Sequence, residues 1–176
     1  AEKEHPEAMV KLYNMYGNGE KIQVNYGEAL KWARRLYEYY LRKYGENNAT
    51  TLISLNNLAL TYGKSGDKKS FELDEKCYAL MCKVFGEKHP DTLISLTNLA
   101  DAYGKRGDYK RALELNEKVY ALGCEIYGEK HPSTIRALSN LATTYRGLEE
   151  FEKELELGEK ACALKCEVLG EEHQDT

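Results

Sequence analysis

One eight-residue string recurs along this chain. Gly86-Glu87-Lys88-His89-Pro90-Asp91-Thr92-Leu93 returns 42 residues later as Gly128-Glu129-Lys130-His131-Pro132-Ser133-Thr134-Ile135, and Gly170-Glu171-Glu172-His173 begins it once more. Upstream, Gly45-Glu46-Asn47-Asn48-Ala49-Thr50-Thr51-Leu52 stands 41 residues before the first copy. The missing residue can be located. Gly107-Asp108-Tyr109-Lys110 faces Gly66-Asp67-Lys68, so the counterpart of Tyr109 is the one lost. A period of this length constrains the fold strongly, because it marks a stacked array in which each unit buries its apolar surface on its neighbours.

Within the unit, Leu93, Leu96, Leu99, Ala100 and Tyr103 fall at helical spacing, as do Leu52, Leu55, Leu58, Ala59 and Tyr62. After a glycine-containing turn, Leu115, Val119, Leu122 and Ile126 form one apolar stripe, with Tyr120, Cys124 and Tyr127 forming another beside it. A helix that is apolar on two sides packs between neighbours. Gly45, Gly86, Gly128 and Gly170 read as left-handed stop residues, and Pro132 sits where a first-turn proline is tolerated. The pattern predicts helix pairs at 8–16 and 26–43, 50–63 and 67–85, 91–104 and 108–127, and 133–146 and 149–169. The expected fold is all-α: a right-handed α-solenoid of stacked antiparallel helix pairs, about four units in one repeat domain over residues 1–176. The units are 1–44, 45–85, 86–127 and 128–169. Residues 170–176 open a further unit, which suggests a longer array.

Leu96-Thr97-Asn98-Leu99-Ala100, Tyr103-Gly104-Lys105-Arg106-Gly107-Asp108-Tyr109 and the Gly-Glu-Lys-His-Pro linker resemble the kinesin light chain subclass of tetratricopeptide repeats. The resemblance covers about residues 45–176. One helix B position that is often bulky in that family holds Asp74, Asn116 and Gly158, so helix B packing is expected to differ there. The first 44 residues, with Tyr13-Asn14-Met15-Tyr16-Gly17-Asn18-Gly19-Glu20 and Asn25-Tyr26-Gly27-Glu28-Ala29-Leu30-Lys31-Trp32, resemble a Sel1-like repeat. That unit is expected to stack on the others in the same sense.

Composition removes several functions. A net charge of −4, from 29 acidic and 25 basic residues, offers no basic field for nucleic acid. Ala1-Glu2-Lys3-Glu4-His5 lacks the basic and apolar regions of a signal peptide, and no apolar run is long enough to span a membrane. Five cysteines, an odd number, fit a reducing, cytoplasmic setting better than a disulfide framework. No cofactor is expected.

Three features invite a chemical reading and are better explained by the repeat. Cys162 and Cys166, four apart with His173 nearby, could suggest a metal. Yet Cys82, Cys124 and Cys166 are equivalent positions and read as small packing residues of helix B. His89, His131 and His173 occupy one linker slot in successive units, which points to a turn or capping role rather than catalysis. Gly17-Asn18-Gly19 lacks the context of a phosphate loop and serves a turn.

The constellation with a functional case is a ladder of asparagines, Asn57, Asn98 and Asn140, one in each Leu-x-Asn-Leu-Ala segment. Positions four before and three after share the face: Ile53 and Leu60, Ile94 and Asp101, Arg136 and Thr143. This face should line the concave surface, where a carboxamide can pair with the main chain of an extended peptide without dictating its sequence. The resemblance implies the same use, since in kinesin light chains the matching asparagine contacts cargo peptide and the position of Arg136 is basic. Ile53, Ile94 and Asp101 dilute that basic character, so ligand charge does not carry over. Alternatively each asparagine bridges adjacent helices or faces water. The expected function is thus a non-enzymatic scaffold for a protein or peptide. The competing reading is a structural or sensor segment that packs on another domain or self-associates through its repeat ends.

Overall fold

The computed structural model describes residues 5–19 and 23–169. Among these the chain forms eight α-helices and no strand: α1 (Pro6–Asn18), α2 (Tyr26–Tyr44), α3 (Ala49–Ser65), α4 (Lys69–Phe85), α5 (Pro90–Lys105), α6 (Tyr109–Tyr127), α7 (Pro132–Gly147) and α8 (Phe151–Leu169). The fold is an all-α repeat solenoid, as the period and spacing predict. Helix limits agree with expectation to within two residues. The segment 170–176, with Gly170 and His173, lies outside the described residues, as does Glu20. No described helix is long and apolar enough to cross a membrane.

The chain divides into two compact units, Ala1–Glu87 and Lys88–Thr176. In the first, α1 packs on α2, α2 on α3 and α3 on α4. Its core joins Leu52 and Leu55 to Cys77 and Met81, all essentially removed from water. A second cluster holds Ala33, Leu58 and Tyr62, with Tyr13 of α1 against it. In the second unit α5, α6, α7 and α8 pack in sequence, and Ile135, Leu138 and Ala161 centre the α7–α8 contact. Burying a leucine side chain contributes about 1.5–3 kcal/mol, which makes these layers the main source of stability.

Close approach of helices rests on small residues. Thr134 of α7 is fully buried, and a Cβ on Gly123 of α6 would lie 3.2 Å from its hydroxyl. Gly147 likewise leaves room for the ring of Tyr109, which a Cβ would meet at 2.4 Å. Thr51 and Thr92 occupy the same repeat position as Thr134 and are equally buried.

Each linker histidine in the described residues acts as a cap, as its repetition suggests. His131 precedes α7 and its Nδ1 accepts the Ser133 N–H at 3.1 Å; His89 does the same for Asp91 at 3.2 Å. Asn48 fills that slot before α3 and accepts the Thr50 N–H at 2.9 Å. His131 also stacks on Tyr127, with ring centroids 4.6 Å apart. Ion pairs fix the linkers to helix B: Glu46 with Lys76 and Glu129 with Lys160, each at 2.7 Å, and Lys88 with Glu125.

Two expectations need correction. Gly45, Gly86 and Gly128 have positive φ, at 80, 84 and 87°, but their ψ of 171, 165 and 159° lies outside the left-handed helical well. They occupy a region essentially reserved for glycine, because the linker leaves the helix extended rather than curling back. The repeated cysteines are only partly buried, since Cys82, Cys124 and Cys166 lie at the edges of their layers. The fully buried thiol is Cys77, and Cys162 is exposed.

Candidate binding surface

Helix A of the later pairs, α3, α5 and α7, is largely buried, whereas α1 buries only Met9. In α7, Thr134, Ile135, Ala137, Leu138, Leu141, Ala142, Thr144 and Tyr145 are buried. Arg136 and Thr143 are exposed between them, and Asn140 is half-buried. In α5 the same positions give Ile94 exposed, Asn98 half-buried and Asp101 exposed. In α3 they give Ile53 exposed, with Asn57 and Leu60 half-buried. Positions i, i+4 and i+7 thus form one narrow accessible strip on a buried helix, which is the face the sequence spacing selects.

Within the second unit the strips of α5 and α7 meet in two clefts. Ile94 and Arg136 line one of about 80 Å³, together with Val119. Asp101, Asn140 and Thr143 line another of about 290 Å³, with Lys105, Tyr109 and Asn116. Partial desolvation in this cleft pushes the Asp101 carboxyl above its ordinary value, while Lys105 and Arg136 act in the opposite sense. The side chain nevertheless stays exposed, so the cleft is open to solvent.

The three ladder residues are not alike. Among the described residues the carboxamides of Asn57 and Asn140 have no hydrogen-bond partner. Their backbone carbonyls instead accept the hydroxyls of Thr61 and Thr144, at 2.6 and 2.9 Å. Asn98 already has a partner of its own. Among the described residues neither of these two carboxamides makes a hydrogen bond to a neighbouring helix.

Sequence reasoning missed the floor of the larger cleft. Asn116 was notable only as a polar residue at a bulky position. It is buried, its Nδ2 donates to Thr144 Oγ1 at 2.9 Å, and its Oδ1 has no partner among the described residues. Asn116 falls on helix B, outside the helix A pattern that marked the ladder. Asp74, its counterpart in the first unit, is also buried. Among the described residues no three metal-ligating side chains converge.

Stacked pairs of antiparallel helices with a 42-residue period define a helical repeat protein. Residues 67–125 and 134–175 match family models of the tetratricopeptide repeat, and these stretches are tetratricopeptide repeats. Such repeats generally mediate protein–protein interaction and typically form non-enzymatic scaffolds. Similar solved structures include a protein of Podosopora anserina classed with the kinesin light chains and carrying nearly identical TPR-like repeats. It is 26% identical with a TM-score of 0.78, over 97% of this chain and 81% of that one. BtubC (BKLC) from P. vanneervenii is 15% identical with a TM-score of 0.77, over 99% of this chain and 70% of that one. The apo form of RapI is 16% identical with a TM-score of 0.76, over 94% of this chain and 59% of that one. No curated protein sequence matches the chain.

Proposed function

We propose that the chain is a scaffold that holds an extended peptide or protein segment along the helix A strips of its units. The observation that carries this reading is the pairing of an accessible i, i+4, i+7 strip with unpartnered carboxamides at Asn57 and Asn140. A carboxamide offers both donors and acceptors, which suits the alternating N–H and C=O groups of an extended main chain. Ile53, Leu60, Ile94, Asp101 and Arg136 flank the ladder and would select side chains. The five free cysteines fit binding in a reducing, cytoplasmic setting.

The test uses random decapeptides displayed on phage and selected on the intact chain, followed by anisotropy titration of the retained peptides. Losing two hydrogen bonds of about 0.5–1.5 kcal/mol each should weaken affinity roughly tenfold in Asn57→Ala and in Asn140→Ala. Melting temperatures should hold. Lost stability with unchanged affinity would make the ladder structural.

A second reading has its own observation. Phe151 and Leu155 of α8 are 62% and 63% exposed and line an open hollow with Gly158 and Cys162. Large exposed apolar residues side by side mark contact surfaces. Self-association through α8 would be seen in sedimentation and abolished by Phe151→Ser with Leu155→Ser.

A further inference from the structure

The first unit hides its register. Asn57 stands 43 residues after Asn14 and 41 before Asn98, so the two irregular spacings cancel and Asn14 lies 84 residues before Asn98, two full periods. The same shift aligns His5-Pro6 with His89-Pro90, Met9 with Leu93, Leu12 with Leu96 and Val10 with Ile94. The structure supports this alignment. α1 begins after His5 with Pro6 in its first turn, as α5 and α7 begin after His89 and His131. Met9 is buried like Leu93, Val10 is exposed like Ile94, and Asn14 is half-buried like Asn98.

Within the first unit α1 and α3 belong to one layer system. Tyr13, the neighbour of Asn14, packs against the cluster of Ala33, Leu58 and Tyr62, and its hydroxyl meets Thr61 Oγ1 at 3.4 Å. Asn14 resembles Asn57 in having no hydrogen-bond partner among the described residues. The strip of α1 is Val10, Asn14 and Gly17, and that of α3 is Ile53, Asn57 and Leu60. None of these six is charged, in a chain with 31% charged residues.

We infer that α1 supplies a rung beside that of α3, and that the first unit takes an uncharged, apolar stretch of an extended peptide. The inference rests on the peptide-binding reading above. Val10, Ile53 and Leu60 offer apolar contact and nothing to balance a ligand charge, so a charged side chain would be desolvated there without compensation. Asn14 and Asn57 satisfy the main chain. A helical ligand fits less well, because its backbone groups are already paired internally.

The experiment titrates the decapeptides retained from the phage library against the intact chain and three variants in α1, with melting curves in parallel. Asn14→Ala and Val10→Glu should each weaken binding about tenfold at unchanged melting temperature. Lys11→Ala, exposed on a neighbouring face, should leave binding unchanged, and the retained peptides should share an apolar segment. If Asn57→Ala weakens binding and neither Asn14→Ala nor Val10→Glu does, the α1 rung is overturned while that of α3 stands. If no asparagine change matters, or no peptide is retained, the peptide-binding reading falls with it. Retained peptides that share charged rather than apolar positions would overturn the assigned ligand chemistry.

Discussion

The two units solve the same packing problem and present different surfaces. Both stack four helices through buried leucines and fully buried threonines, and α3 in one and α7 in the other start behind a side-chain cap. On the accessible strip they part. The first unit shows Val10, Ile53 and Leu60 around its asparagines; the second shows Ile94 but also Asp101, Arg136 and Thr143. The positions that bury cannot vary without opening a cavity, whereas the strip touches little within the fold and is free to diversify. That separation lets one repeat frame carry changing surface chemistry.

The largest effects should come from what the units share. Leu55→Ala and Leu138→Ala remove fully buried side chains, one in each unit, and should cost about 2–5 kcal/mol apiece by chemical denaturation. Similar losses would support equivalent cores. If one change were nearly silent, the two units would not be packed alike.

The linker glycines come next. Gly86 combines positive φ with an extended ψ, whereas Gly66 lies in the left-handed helical well. Asparagine enters that well readily but not the region of Gly86. Gly86→Asn should therefore cost about 1–3 kcal/mol, and Gly66→Asn clearly less. Equal losses in thermal melts would show that the linker relaxes.

Much of this was legible in the sequence, for identifiable reasons. Helix positions follow from the period together with apolar spacing, two signals that reinforce each other over three copies. The histidine role followed from repetition, although only geometry shows Nδ1 as the acceptor. Glycine ψ was not legible, because sequence indicates a need for positive φ and not which positive-φ region is used. The turn before α8 is a similar case, since Glu149 adopts φ 62° where Gly66 and Gly107 stand in other repeats. The ladder positions were legible as an i, i+4, i+7 pattern, but the cleft floor at Asn116 depends on how α6 meets α7. The α1 register was obscured by one long and one short unit.

Caps should give a smaller effect that separates Asn48 from His131. Asn48→Ala removes a single side-chain cap and should cost about 1 kcal/mol. His131 both caps α7 and stacks on Tyr127. His131→Asn keeps a good capping residue and loses the stack, so it should cost about 0.5–1 kcal/mol, and His131→Ala more. Melting of the three variants side by side ranks the two contributions. If His131→Asn and His131→Ala are equal, the histidine cap contributes nothing.

The smallest effect concerns Asp101, which occupies the strip position held by Leu60 in the first unit and Thr143 in the last repeat. Desolvation raises its pKa in the folded chain, against the pull of Lys105 and Arg136. A carboxyl with a raised folded pKa binds its proton more tightly folded than unfolded, so its ionisation opposes folding at neutral pH. Asp101→Asn should thus stabilise the chain at pH 7, and the gain should shrink as pH falls through the folded pKa toward the unfolded one. Below both, the two proteins should melt together apart from the difference between amide and acid. Solvent screening of this exposed side chain keeps the gain within about 0.5 kcal/mol. A gain that grew on acidification would reverse the sign and mean that attraction to Lys105 and Arg136 outweighs desolvation. In that event Asp101 would be held ionised in the cleft, and the second unit's strip would present a fixed negative charge where the first unit's presents leucine.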